Sequence, residues 1–279
     1  MIIKNQKELE ILREGGKKLA AVLNEAAHYA IAGVSARELD DLAEKLILKA
    51  GGAPSFKGYK VKGAPMPYPG SLCVSINDEV VHGLPTDRVL KSGDIVGLDI
   101  GMRWPSEDGL YTDTAMTVLV PRGGTLPSSK SDFETPKKSD FFPDGVEERG
   151  RRLINATKKS LEVGIAQVRA GAHAGDIGYA IQKYLEKEGF GVVRELVGHG
   201  VGRAVHEDPE VPNFGKKGTG PELVEGMLIA LEPMATEGNP KVKLASDGWT
   251  WLTRDGSRAA HFEHTIVVTR TGAEILTMV

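Results

Sequence analysis

The sequence predicts an α+β fold made of two related halves that close on one another about a pseudo-two-fold axis. Three observations lead there. Apolar residues recur with a helical period in long stretches, and short β-branched runs lie between and after them. The order of helices followed by strands is run through twice along 279 residues. Three local motifs also repeat, at offsets far too long for a solenoid.

Taken in order, Lys7–Ala32 carries Leu9, Leu12, Leu19, Val22, Leu23, Ala26 and Ala30 at helical spacing, with His28 a structural or surface histidine among them. A second helix is expected over Ser35–Ala50. Ser35 and Glu38 make a capping box, and Gly51-Gly52 stops it. Pro54–Gly70 is irregular, rich in Gly, Pro and Lys. Leu72–Ile76, Asp94–Ile100 and Thr114–Val120 read as strands. Pro121–Gly150, heavy in Ser, Pro, Lys and Asp, reads as a surface insertion between halves of about 1–120 and 150–279. Helices resume over Val146–Val163 and Ala174–Glu188. Strands follow at Gly191–Leu196, Met227–Leu231 and His264–Thr269.

The repeat is local as well as global. The helix opened at Gly33 and stopped at Gly51 is matched by one opened at Gly171 and stopped at Gly189. Leu90–Asp99 aligns with Leu223–Glu232, and in each a Gly turn opens an apolar strand that closes on a carboxylate. Tyr111–Thr114 aligns with Phe262–Thr265, each leading into a β-branched strand.

A chain of this length can bury a large core as a single domain. Its 41% hydrophobic and 26% charged residues are ordinary for a globular protein. A net charge of -3 gives no reason to expect nucleic acid as a partner. A single cysteine, Cys73, excludes an internal disulfide framework and fits a reducing compartment. The first residues, MIIKNQKELEILREGG, are charged and helical in pattern, unlike a signal peptide. No run approaches a membrane span. The expectation is a cytoplasmic enzyme or binding protein.

Two groups of residues carry chemistry. In Glu195–Pro209, His199 and His206 stand among Gly198, Gly200 and Gly202. Three glycines in five positions oppose a helix, at about 1 kcal/mol each. The stretch reads either as a close-turning backbone that sets two imidazoles around a cavity, or as a loop with two solvated histidines. The second group is Asp99, Asp113, Glu232 and Glu263, acids at repeated positions beside apolar strands. Buried together they would repel, and nothing basic in their motifs neutralises them all. Bound cations resolve this. Four carboxylates and one imidazole suit two divalent metal ions (Co, Mn, Fe or Zn), whereas a structural zinc site would use thiolates.

These residues lie in stretches that resemble a known family. VSINDEVVHGLP, GDIVGLDIG, YTDTAMTV, VGHGVGRAVHEDP, LIALEPM, DGWTW, FEHTIVVT and GAEILT, in that order, are similar to the type I methionine aminopeptidases, metallopeptidases of the pita-bread fold. The resemblance implies a central antiparallel sheet flanked by helices, and removal of the initiator methionine when the second residue is small. It implies that Asp99 chelates one metal, that Asp113 and Glu263 bridge both, and that His199 and Glu232 complete the second. A bridging water is then the nucleophile, with Glu232 shuttling its proton. His82 contacts the substrate near the scissile bond, and His206 stabilises the tetrahedral intermediate. Tyr68, Cys73 and Trp249 line the methionine pocket. The resemblance further implies that the substrates are nascent polypeptide N-termini met at the ribosome and that the enzyme is a monomer; no nucleic-acid or membrane partner is expected.

Taken singly, His82, Tyr68, Trp249 and Cys73 could each be packing or turn residues. His261 and His264 flank Glu263 and are not assigned as ligands, and His173 reads as a surface residue. The loop from Gly101 to Gly109 is longer than in many relatives and is expected to reshape the rim of the site. Val205 stands where a bulkier pocket residue is common. Two other readings stay open: a proline-specific peptidase of the same fold, normally with a further N-terminal domain, and a metal-free binding module.

Overall fold

The computed structural model describes residues 1–121 and 145–279. Helices α1 (Gln6–His28) and α2 (Ala36–Lys49) come first. Strands β1 (Ala53–Pro54), β2 (Leu72–Ile76), β3 (Glu79–Val81), β4 (Ile95–Trp104) and β5 (Leu110–Leu119) follow. Then come helices α3 (Gly145–Ile165) and α4 (Ala174–Glu188), and strands β6 (Gly191–Val192), β7 (Gly198–Gly200), β8 (Glu207–Val211), β9 (Leu228–Leu231) and β10 (Met234–Thr236). The chain closes with β11 (Val242–Leu244), β12 (Trp251–Thr253), β13 (Ala259–His261), β14 (Glu263–Val268) and β15 (Ala273–Ile275).

Most of the expected insertion, 122–144, lies outside the described residues. Residues 146–150, counted both in that insertion and in the expected Val146–Val163 helix, are part of the first turns of α3. Asn5 caps α1 by accepting the Glu8 N–H. That helix stops at His28 rather than Ala32, because the Tyr29 N–H closes its last turn and the chain bends towards Gly33, at φ +97. The capping box of Ser35 and Glu38 is present on α2. The Gly191–Leu196 strand shortens to Gly191–Val192, with the Val193 N–H donating to the Met234 carbonyl one step further along the same register.

Nine strands form one antiparallel sheet in the order β1-β4-β5-β14-β9-β7-β8, with β2 added to β4 and β15 to β14. Strands β5 and β14 meet at its centre, Glu263 opposite Ala115 and His264 opposite Thr114. One face of the sheet is apolar and covered by helices. Under α1 and α2, Leu72, Val74, Ile76, Val96, Leu98, Ile100 and Met102 are buried. Under α3 and α4, Ile229, Leu231, Ile266 and Val268 are. Burying each such side chain contributes about 1.5–3 kcal/mol. Strand residues alternate between faces, so the positions between these point the other way.

Candidate metal and substrate site

The pairing register alone gathers the expected metal ligands on the uncovered face. Asp113 lies opposite Gly101, two residues from Asp99, so both acids share a face. Glu263 lies opposite Ala115, two residues from Asp113. Thr265, two residues from Glu263, pairs with Ala230, which pairs in turn with His199. Glu232 follows Ala230 by two residues, just past the end of β9. Cys73 sits directly opposite Asp99. Oxygen and nitrogen atoms of Asp113, His199 and Glu263 come within 4.8 Å of one another. His199 Nε2 is 3.6 Å from Glu232 Oε1.

Threonine hydroxyls lock this seam. Asp113 N–H donates to Thr265 Oγ1 at 2.8 Å, and that hydroxyl donates back to the Asp113 carbonyl at 2.7 Å. Thr114 Oγ1 donates to the Glu263 carbonyl at 2.8 Å. The backbones bearing Asp113 and Glu263 are thus tied across the two halves, independently of their carboxylates.

The electrostatics call for cations. Asp99 is 8% exposed, Asp113 3%, Glu232 9% and Glu263 2%. Burial raises the carboxyl of Asp99 to about 7 and that of Glu232 to about 8. It pushes Asp113 and Glu263 well above the usual carboxylate range, where neighbouring carboxylates add to the effect. Asp99 Oδ1, Asp113 Oδ1 and Glu263 Oε1 are buried without a hydrogen-bond partner. Buried acceptor-only groups of this kind are normally satisfied. Among the described residues, no lysine or arginine lines the cavity they face. The imidazole completes the fit. His199 Nδ1 lies 2.9 Å from the Gly200 carbonyl, which must accept its proton. That leaves the Nε2 lone pair turned to the carboxylates, the tautomer a metal-binding histidine uses. Burial first, and the other imidazoles after it, pull the His199 pKa down to about 3, so the ring is neutral at pH 7.

All ten residues singled out from the sequence line one cavity of about 190 Å³: Tyr68, Cys73, His82, Asp99, Asp113, His199, His206, Glu232, Trp249 and Glu263. Drug-sized ligand pockets run to roughly 300–1,000 Å³, so this one takes a single side chain and the adjoining backbone. One wall is acidic; the other is built from Phe56, Tyr68, Cys73 and Trp249, which pack together and with Val205, itself outside the cavity lining. Trp249 Nε1 donates to the Met66 carbonyl at 3.0 Å, and Asp247 accepts the Trp249 and Thr250 N–H groups. The irregular stretch 54–70 is thereby anchored beside the pocket. His82 is held at φ +58 just after β3. Next to it, a Cβ on Gly83 would meet the Val74 carbonyl oxygen at 2.3 Å, so only glycine fits. Ser75 Oγ accepts the Gly83 N–H, and Tyr68 Oη donates to the Gly83 carbonyl at 2.8 Å.

The structure departs from the sequence reading at several points. His199 lies on strand β7, not in a close-turning loop. Gly198 and Gly200 are there because a Cβ would strike the Ala230 and Asp208 carbonyl oxygens at 2.4 and 2.1 Å. Only Gly202, at φ +131, needs glycine for its backbone angle. The 101–109 loop does not line the cavity. It forms the far end of the β4–β5 hairpin, where Trp104 packs on Gly15 and donates to the Ala50 carbonyl. His173 is half-buried at the N-cap of α4. His264 turns away, its Nδ1 3.0 Å from Thr277 Oγ1. His261, set aside from the sequence, is buried with Nε2 3.5 Å from Glu232 Oε2. Phe56, Tyr59 and Val61 also line the cavity. Nothing in the sequence marked them, since they lie in a stretch without period.

The model of metallopeptidase family M24 matches residues 10–270. The chain is similar to methionine aminopeptidase 1 of Bacillus subtilis (strain 168), with 41% identity over 280 residues covering all of both chains. The crystal structure of methionine aminopeptidase from Thermotoga maritima superposes with a TM-score of 0.85 at 41% identity, again covering all of both. A Xaa-Pro dipeptidase from Bacillus anthracis shares the fold alone, with a TM-score of 0.69 at 20% identity and 62% of its chain covered. With a family match over nearly its whole length, full-length relatives, and a buried acidic cluster with an imidazole at its edge, the chain belongs to metallopeptidase family M24.

Proposed function

We propose that this chain is a methionine aminopeptidase, one catalytic domain of two halves that removes the initiator methionine from nascent polypeptides with a small second residue. One observation carries the reading: five metal-suited donors and a small apolar wall share a single cavity. In this reading Asp99, Asp113, His199, Glu232 and Glu263 hold two divalent ions (Co, Mn, Fe or Zn), with Asp113 and Glu263 shared between them. Such ions would polarise the scissile carbonyl and make water a competent nucleophile near neutral pH.

The chain's own residues do the rest. Tyr68, Cys73, Trp249 and Phe56 take the methionine side chain. The limited depth of their pocket holds the first peptide bond against the acidic wall. The Glu232 carboxylate accepts the proton given up by the attacking water and returns it to the leaving amine. His82 is neutral at pH 7, since burial brings its pKa down to about 4, and it contacts the substrate beside the scissile bond. His206 faces the oxygen that becomes negative. The free thiol of Cys73 fits the reducing cytoplasm, where nascent N-termini emerge from the ribosome. No helix among the described residues is long and apolar enough to cross a membrane.

Release of methionine from Met-Ala-Ser, with Mn or Co added, is expected to be far faster than cleavage of Gly-Pro or other Xaa-Pro substrates. Faster Xaa-Pro cleavage would overturn the assignment. Replacing Trp249 with Ala removes one wall of the methionine pocket. It is expected to lower kcat/KM for Met-Ala-Ser by about tenfold or more, chiefly through KM. Equal losses on Met-Ala-Ser and Ala-Ala-Ser would remove Trp249 from the pocket.

A further inference from the structure

We propose that Tyr59 is a positioning residue that sets which nitrogen of His206 faces the substrate; this rests on the peptidase reading above. Tyr59 Oη lies 2.8 Å from His206 Nδ1, and the two rings stand 5.2 Å apart at 58°. The His199 ring lies 4.5 Å from His206 at 64°, so the imidazole is held between two neighbours. Tyr59 and His206 come from opposite halves of the chain, and both line the cavity.

The backbone of Tyr59 is itself fixed. Its N–H donates to the Phe56 carbonyl, and its carbonyl accepts the Tyr68 N–H, each at 2.8 Å. The Gly58 N–H donates to the Tyr68 carbonyl, also at 2.8 Å. An otherwise irregular segment thus presents the phenol to one ring nitrogen.

A neutral imidazole carries one donor and one acceptor nitrogen. A phenol is a strong donor and a weak acceptor, because its oxygen lone pair is delocalised into the ring. Removal from water also raises the Tyr59 pKa, so the hydroxyl keeps its proton. The O–H therefore donates to Nδ1, and Nε2 must carry the ring proton. That tautomer makes Nε2–H a donor to a developing negative oxygen. The opposite tautomer would offer that oxygen a lone pair.

The test is a double-mutant cycle on the Mn-loaded enzyme with Met-Ala-Ser, using Tyr59→Phe, His206→Ala and the pair. Tyr59→Phe is expected to lower kcat about tenfold or more, the scale of losing a partner that orients a functional histidine, with KM within about twofold. In the His206→Ala background the same change is expected to cost less than about twofold, the non-additivity of coupled sites. Nitrogen-15 NMR of the Zn-loaded protein should show His206 protonated at Nε2, and a mixture of tautomers in Tyr59→Phe. An equal loss in both backgrounds, a loss confined to KM, or an unchanged tautomer overturns the proposal. Because the NMR readout needs no turnover, it stands even if methionine is not the residue released.

Discussion

Asp113→Asn is expected to abolish peptidase activity while making the metal-free protein more stable. The backbone at this residue is tied by a reciprocal pair of bonds to Thr265, so the variant keeps its strand and register. Only the charge is lost. With one of the shared carboxylates gone, the loss should exceed the roughly 10–100-fold that an outer partner of a metal ligand costs. Mn binding measured by calorimetry should weaken in parallel. Without metal, one of four mutually repelling buried acids is gone, and melting in EDTA should shift upward. Retained activity with undiminished Mn binding would contradict the role given to Asp113 and favour a metal-free binding module.

The metal-free protein is expected to lose stability between about pH 6.5 and 8, and the metal-loaded protein to keep it. The sign follows from which state binds more protons. Asp99, at about 7, and Glu232, at about 8, are raised in the folded state, as are Asp113 and Glu263. The fold holds protons that the unfolded chain releases near pH 4, so these groups make stability fall as pH rises through their folded pKa values. The histidines act oppositely. His199 at about 3, and His82 and His264 at about 4, charge more readily when unfolded, so they add stability up to about pH 6.5 and nothing beyond. The two sets offset each other below pH 6.5, and the carboxyls act alone above it. A divalent ion at about 1,000 times its Kd adds about 4 kcal/mol. For a chain of this size that is a rise in Tm of about 10 °C. The gain should be larger at pH 8 than at pH 6.5, because binding displaces protons. Melts in EDTA and in Mn at the two pH values test this, and parallel curves would refute it.

What could be read from the residues was whatever had a period or a repeated neighbour. Leu72–Ile76 and Ala174–Glu188 emerge at the expected bounds because each is a continuous apolar pattern with a clear start and stop. Asp99, Asp113, Glu232 and Glu263 stood out because each half carries a carboxylate, Asp in the first and Glu in the second, beside the same kind of strand. The three-residue strands β3, β10, β11, β12 and β13 are too short for any period, and β3 finds its partner β12 far along the chain. The glycines around His199 misled for a physical reason: a glycine demanded by close backbone packing looks, in sequence, like one demanded by a turn. Tyr59 was invisible because its importance comes from one hydrogen bond across the molecule, not from its neighbours.

The central seam between β5 and β14 has a consequence for synthesis. Asp99 and Asp113 emerge early, while Glu263 is made only after the whole second half. Proteins are made from the N-terminus onward, and domains fold as units. A partly translated chain therefore has half of its acids and no complete cradle for ions. On the proposed reading, the capacity to trim other newborn chains is gained only when translation has passed Glu263.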